Sequence, residues 1–139
     1  MAQLKPLTDD ERNILLPKLV KLLSKTSKSK TLYAPEIVIG FNKHVKSWGF
    51  DGTFTETRLR KLINHIRFNG ILPIISGPYG YYITQDKQEI LEMVKSLEER
   101  AQSILSGARG LKGYAQEIEN ERNERNEDVY FFHDEIKLK

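Results

Sequence analysis

TETRLRKLINHIRFNGILPIISGPYGYYIT, residues 55–84, is the stretch that decides the fold. Its first half reads as a helix. Thr55 is a good N-cap, Glu56 suits a helix N-terminus, and Asn69-Gly70 is a C-terminal stop. Leu59, Leu62, Ile63 and Ile66 fall at i, i+3, i+4 and i+7, one apolar stripe. The remaining face carries Thr57, Arg58, Arg60, Lys61, Asn64, His65 and Arg67, with no acid after Glu56. The period then shortens to that of strands. Ile71–Ile75 and Tyr81–Thr84 read as a hairpin joined by the five-residue loop Ser76–Gly80, and Pro73 argues for an edge strand.

Two helices are expected upstream. Thr8 and Glu11 have capping-box spacing, and Leu16, Leu19, Val20 and Leu23 form the stripe behind them. Pro17 either kinks this helix or begins its main part after a shorter turn. Ser24–Lys30 (SKTSKSK) reads as a basic connector. The second helix starts at Pro35 with the stripe Ile37, Phe41, Val45 and Trp48, leaving Asn42, Lys43 and Lys46 outward. Gly49–Gly52 is a turn.

Downstream, the apolar positions from Ile90 to Ile118 are spaced alternately four and three residues apart, a seam of four heptads. Gly107, Gly110 and Gly113 interrupt it at about 1 kcal/mol each relative to Ala. The reading is helical to about Ser106 and open beyond. Such a seam could close an intermolecular coil or fold back on its own domain; a domain of this size has too little surface to bury four heptads, so a homodimer is expected.

The 139 residues suffice for one domain plus an extension. Hydrophobic residues make up 39% and charged residues 29%, which permits a packed core and argues against wholesale disorder. The absence of cysteine removes disulfides, cysteine-liganded metal sites and thiol nucleophiles. No apolar run suits a signal peptide or a bilayer span, so a soluble protein in a reducing compartment is expected, with no membrane partner. The formal charge of +3 is unevenly spread. Residues 119–139 hold four basic against seven acidic groups, a net of −3, which leaves +6 for residues 1–118. A basic body suggests a polyanionic partner.

Enzyme chemistry finds little support. His44, His65 and His133 are far apart and show no metal-ligand spacing. Gly77–Gly80 lacks the ending of a phosphate loop, and no G-x-S-x-G occurs. Asp134-Glu135-Ile136-Lys137 has a nuclease-like order of charges but no framework around it. No catalytic residue, metal or cofactor is expected.

Helix, helix, turn, basic helix and hairpin is the order of a winged helix-turn-helix domain. The fold expected is α+β, mainly α: a three-helix bundle with a β-hairpin wing, followed by a long C-terminal helix. The run from Thr57 to Thr84, with its R-x-R-K-x-I-N-H-I-R helix, N-G-x-x-P junction and G-Y-Y strand, resembles winged-helix DNA-binding proteins of bacteriophages and prophages. With the opening LTDDERNILLPKLVKLL, the resemblance covers roughly residues 7–105. It implies a small regulator or replication-module protein in the cytoplasm of a bacterial host.

The division expected is a winged-helix domain over 1–86, a dimerising helix over 87–118 and an acidic, solvated tail over 119–139, in which Val129–Phe132 could pack on the body or a partner. The function expected is sequence-preferring binding of double-stranded DNA, with the third helix in the major groove. Arg58, Arg60, Lys61 and Asn64 would lie at base edges or adjacent phosphates, and Thr57 on a phosphate. His65, Arg67, Lys43, Lys46, Lys28 and Lys30 complete the candidate DNA-binding set. A two-fold dimer would read half-sites about 34 Å apart. Tyr79, Tyr81 and Tyr82 read as hairpin packing in preference to base stacking. The wing loop has Pro78 and Tyr79 and no cation, which argues against strong minor-groove contact. The alternative is a winged-helix scaffold used to bind proteins, with the seam and acidic tail carrying the function.

Overall fold

The computed structural model describes residues 6–138, with side chains described through residue 125. It is mainly helical, with a two-stranded antiparallel hairpin and a long C-terminal helix. The chain divides into two compact units between Val94 and Lys95.

The first unit begins with the anticipated capping box. The Thr8 amide donates to Glu11 Oε1 at 2.8 Å, and the Glu11 amide donates to Thr8 Oγ1 at 3.1 Å. Pro17 takes neither of its two simple routes alone. A π-helical turn, Glu11–Leu15, runs directly into α1 (Leu16–Leu23), and the Leu16 amide reaches back five residues to the Glu11 carbonyl. The proline ring has no N–H and crowds the carbonyl four residues back, so a widened turn just before it absorbs the conflict without breaking the helix.

α2 spans Ala34–Asn42, and its Glu36 carboxylate accepts the Tyr33 amide at 3.3 Å. Helical turns continue to Gly49, whose φ of +82° ends them; the Phe50 amide then bonds back to the Val45 carbonyl. α3 spans Glu56–Phe68, with Thr55 Oγ1 accepting the Arg58 amide. The same C-terminal device closes it. Gly70 has φ +63°, its amide meets the Arg67 carbonyl, and the Ile71 amide meets the Ile66 carbonyl.

That closure corrects the expected hairpin. Ile71 is tied to α3 and Pro73 has no amide to pair, so β1 is Ile74–Gly77 and β2 is Gly80–Ile83. The register pairs Ile74 with Ile83 and Gly77 with Gly80, which leaves Pro78-Tyr79 as the loop in place of five residues. A third segment joins the hairpin. Leu32 and Tyr81 exchange both backbone hydrogen bonds, at 3.0 and 2.8 Å. Gly80 makes this approach possible, because a Cβ there would lie 2.5 Å from the Leu32 carbonyl oxygen.

The core fills the space between these elements. Leu15, Leu19, Leu23, Leu59, Leu62 and Ile66 are wholly buried, and Ile37, Phe41, Ile63 and Ile74 join them. Two aromatic residues outside every helical stripe, Phe50 and Phe54, are buried too. Asn42 is exposed, as expected, and also exchanges side-chain hydrogen bonds with the Phe54 backbone at 2.8 and 2.9 Å, which hold that loop in place. Tyr82 is buried and Tyr81 half-buried, as hairpin packing requires, while Tyr79 at the loop is exposed.

α4 runs from Lys87 to Leu138. Asp86 caps it through the Gln88 amide. Its first turns belong to the first unit: Glu89 accepts hydrogen bonds from the Tyr82 and Thr84 hydroxyls, and Met93 is buried. In the second unit the helix passes through Gly107, Gly110 and Gly113 without interruption and includes the backbone of the segment expected to be a loose acidic tail. All side chains from residue 98 to 125 are exposed. Val129–Phe132 lie outside the described side chains.

Candidate nucleic-acid interface

α3 is held by side-chain contacts from two sides. On one side stands Glu11, only 2% exposed despite its charge. Its Oε2 accepts Arg58 Nε at 2.9 Å, and its Oε1 accepts Lys61 Nζ at 2.7 Å. Burial pushes this carboxyl up, but the Lys61 hydrogen bond, the Thr8 amide, the Arg58 hydrogen bond and the Lys61 charge outweigh it and hold its pKa at about 2. Arg58 also donates to the Thr53 carbonyl at 2.6 Å and lies over the Phe50 ring, 5.0 Å from its centroid. On the other side, Arg67 donates through Nε to the Ile74 carbonyl and through Nη2 to Ser76 Oγ, tying α3 to β1.

The seven candidates on α3 therefore separate. Arg58 and Lys61 are not open side chains at a groove-facing surface; they are half-buried and neutralise Glu11. Arg67 links helix to hairpin, and His65 is half-buried. Thr57, Arg60 and Asn64 are exposed, and among the described residues their side chains make no hydrogen bond or ion pair. Spaced three and four residues apart, they share one stripe, and Phe68, 65% exposed, continues it.

The other four candidates are scattered. Lys28 pairs with Glu89 at 3.1 Å, which raises the Lys28 pKa, while hydrogen bonds from Thr84 and Lys28 lower that of Glu89. Lys30 sits in a tight turn whose ends, Ser27 and Lys30, exchange backbone hydrogen bonds. Lys43 and Lys46 are exposed on the turns that follow α2.

A feature not singled out in the sequence lies between α1 and α2. An open groove of about 400 Å³ has Leu22, Ile37 and Phe41 among its apolar lining residues and Lys18, Lys21 and Lys25 among its cations. Lys18 Nζ is 5.2 Å from the Trp48 ring, and His44 stacks on that same ring. Lys18 and Lys21 lie on α1 and Lys25 on the turn that follows it; their i, i+3 and i+7 spacing could have marked them as one cationic edge.

Among the described residues, no cluster of His, Asp and Glu is gathered as a metal ion would require, and no helix is long and apolar enough to cross a membrane. Comparison with protein-family models, curated proteins and solved structures returned no match.

Proposed function

We propose that the chain is a winged-helix protein that binds double-stranded DNA with sequence preference, presenting α3 to the major groove. The observation that carries this reading is the stripe Thr57, Arg60 and Asn64: exposed, unengaged and acid-free, on a helix fixed on both flanks. Arg suits the guanine edge and Asn the adenine edge, and a helix held in advance loses little freedom on docking. The Leu32–Tyr81 bridge supports the winged-helix part, since it pairs the chain before α2 with the outer side of the hairpin. Lys43 and Lys46 remain open for phosphates. The resemblance noted in the sequence points to regulation or replication in a phage or prophage.

Exposed Phe68 and Ile71, beside the polar stripe, favour a second reading in which the same helix end docks a protein.

Fluorescence anisotropy on a mixed-sequence duplex at two salt concentrations separates the readings. Wild type should bind and weaken with salt at a slope of about 0.9 per phosphate neutralised. Arg60→Ala/Asn64→Ala should lose binding without loss of thermal stability. If wild type does not bind even at low salt, the DNA reading fails and the protein-docking one stands.

A further inference from the structure

The exposed seam of α4 has an internal order that selects its partner and the direction of that partner. Two kinds of seam position alternate. One kind holds Ala101, Ala108 and Ala115; the other holds Leu97, Ile104, Leu111 and Ile118. All of these except half-buried Leu97 are exposed in the single chain, with Ile104 at 67% and Leu111 at 73%. An unbroken helix that leaves such a face to water lacks its covering surface.

In a parallel, in-register pair each position meets itself. Ala101 would face the partner's Ala101, and under-filled layers would alternate with crowded ones. Opposed helices match the sizes. With the two-fold axis at Ser106, Ala101 meets the partner's Leu111, Ala108 the partner's Ile104, and Ala115 the partner's Leu97. Val94 then closes the end against the partner's Ile118.

The flanking charges select the same arrangement. Antiparallel pairing sets Glu98 beside the partner's Lys112, twice by symmetry, and Arg100 beside the partner's Tyr114, where the cation can lie on the ring. Parallel pairing brings no opposite charges together between residues 93 and 119. Moving the axis toward residue 110 sets Glu98 against the partner's Glu119 and places Arg122 in the seam opposite the partner's Leu97.

Gly107 fits the same axis. A Cβ there meets nothing within 4 Å in the single chain, so its own fold does not require glycine. At the two-fold it would face the partner's Gly107, where the lack of side chains lets the backbones approach.

We infer that residues 94–118 of α4 form an antiparallel two-stranded coil with a second copy of this chain, centred at Ser106 and flanked by reciprocal Glu98–Lys112 ion pairs. The inference is independent of DNA binding.

The lack of cysteine among the 139 residues makes disulfide cross-linking of this chain a clean test. Leu105→Cys should form a covalent dimer under mild oxidation, because Leu105 meets the partner's Leu105 beside the axis. Ala101→Cys alone should not, but a mixture of Ala101→Cys and Leu111→Cys chains should cross-link to each other. Lys112→Glu should weaken the dimer in sedimentation velocity, and Glu98→Lys/Lys112→Glu should restore it. Efficient self-cross-linking by Ala101→Cys would overturn the antiparallel arrangement. A monomeric wild-type mass at every concentration would overturn the dimer itself.

Discussion

α3 and the second half of α4 carry apolar residues at nearly the same helical spacing and meet opposite fates. In α3, Leu59, Leu62 and Ile66 are wholly buried and Ile63 nearly so; in α4, Ile104, Leu111 and Ile118 are 59–73% exposed. The difference lies in the surroundings. α3 is enclosed by α1, α2 and the hairpin, each contributing side chains to one core, whereas none of the described side chains between residues 98 and 125 is covered. An apolar stripe therefore reports that a face needs covering, while the identity of the cover depends on which elements lie within reach.

The largest expected effect comes from exchanging truncations between the two stripes. Leu62→Ala removes a wholly buried side chain and should cost about 2–5 kcal/mol in chemical denaturation of the first unit. Leu111→Ala should leave that transition where it is and weaken self-association instead. Equal losses of stability from both variants would erase the contrast.

Next in size is the buried carboxylate. Glu11 holds its pKa at about 2 in the folded chain against an ordinary 4.5, so it contributes stability in full above about pH 4.5 and loses it as pH falls toward 2. The contribution is on the order of 3 kcal/mol. Glu11→Gln should reduce stability at neutral pH by a similar amount and flatten the acid limb of a pH-dependent melting series. An unchanged acid limb would show that another group controls it.

The smallest effect sharpens the comparison from the side of α4. Gly110 and Gly113 sit in open space, so Gly110→Ala/Gly113→Ala should raise helix content and stabilise α4 by about 1 kcal/mol per site, read by circular dichroism. Gly80→Ala should do the reverse in the first unit, because φ there is +117° and the added carbon meets the Leu32 carbonyl.

What was legible in the sequence was local. The Thr8–Glu11 box, the α3 stripe, the Thr55 cap and the Gly70 stop each depend on residues within one or two turns. What was not legible depends on distant chain. The hairpin register is set by the closure of α3 and by Leu32, some fifty residues before Tyr81. The outward face of α3 looked uniformly available because Glu11, which takes up Arg58 and Lys61, lies 47 and 50 residues away. Phe50 and Phe54 were hidden by their place in the irregular segment before α3, where no periodicity marks a core residue. The glycines of α4 lowered the expectation of helix beyond Ser106, yet a penalty of about 1 kcal/mol each is small beside the cooperativity of a long helix.

The Glu11 anchor also sets the terms on which the molecule could be re-engineered. A combinatorial library on α3 that varied all seven polar positions would spend most of its diversity on unfolded chains, since Arg58 and Lys61 answer to a buried carboxylate and Arg67 to the hairpin. Restricting the randomised codons to 57, 60 and 64 would keep the scaffold intact and confine the variation to exposed side chains that answer to neither anchor.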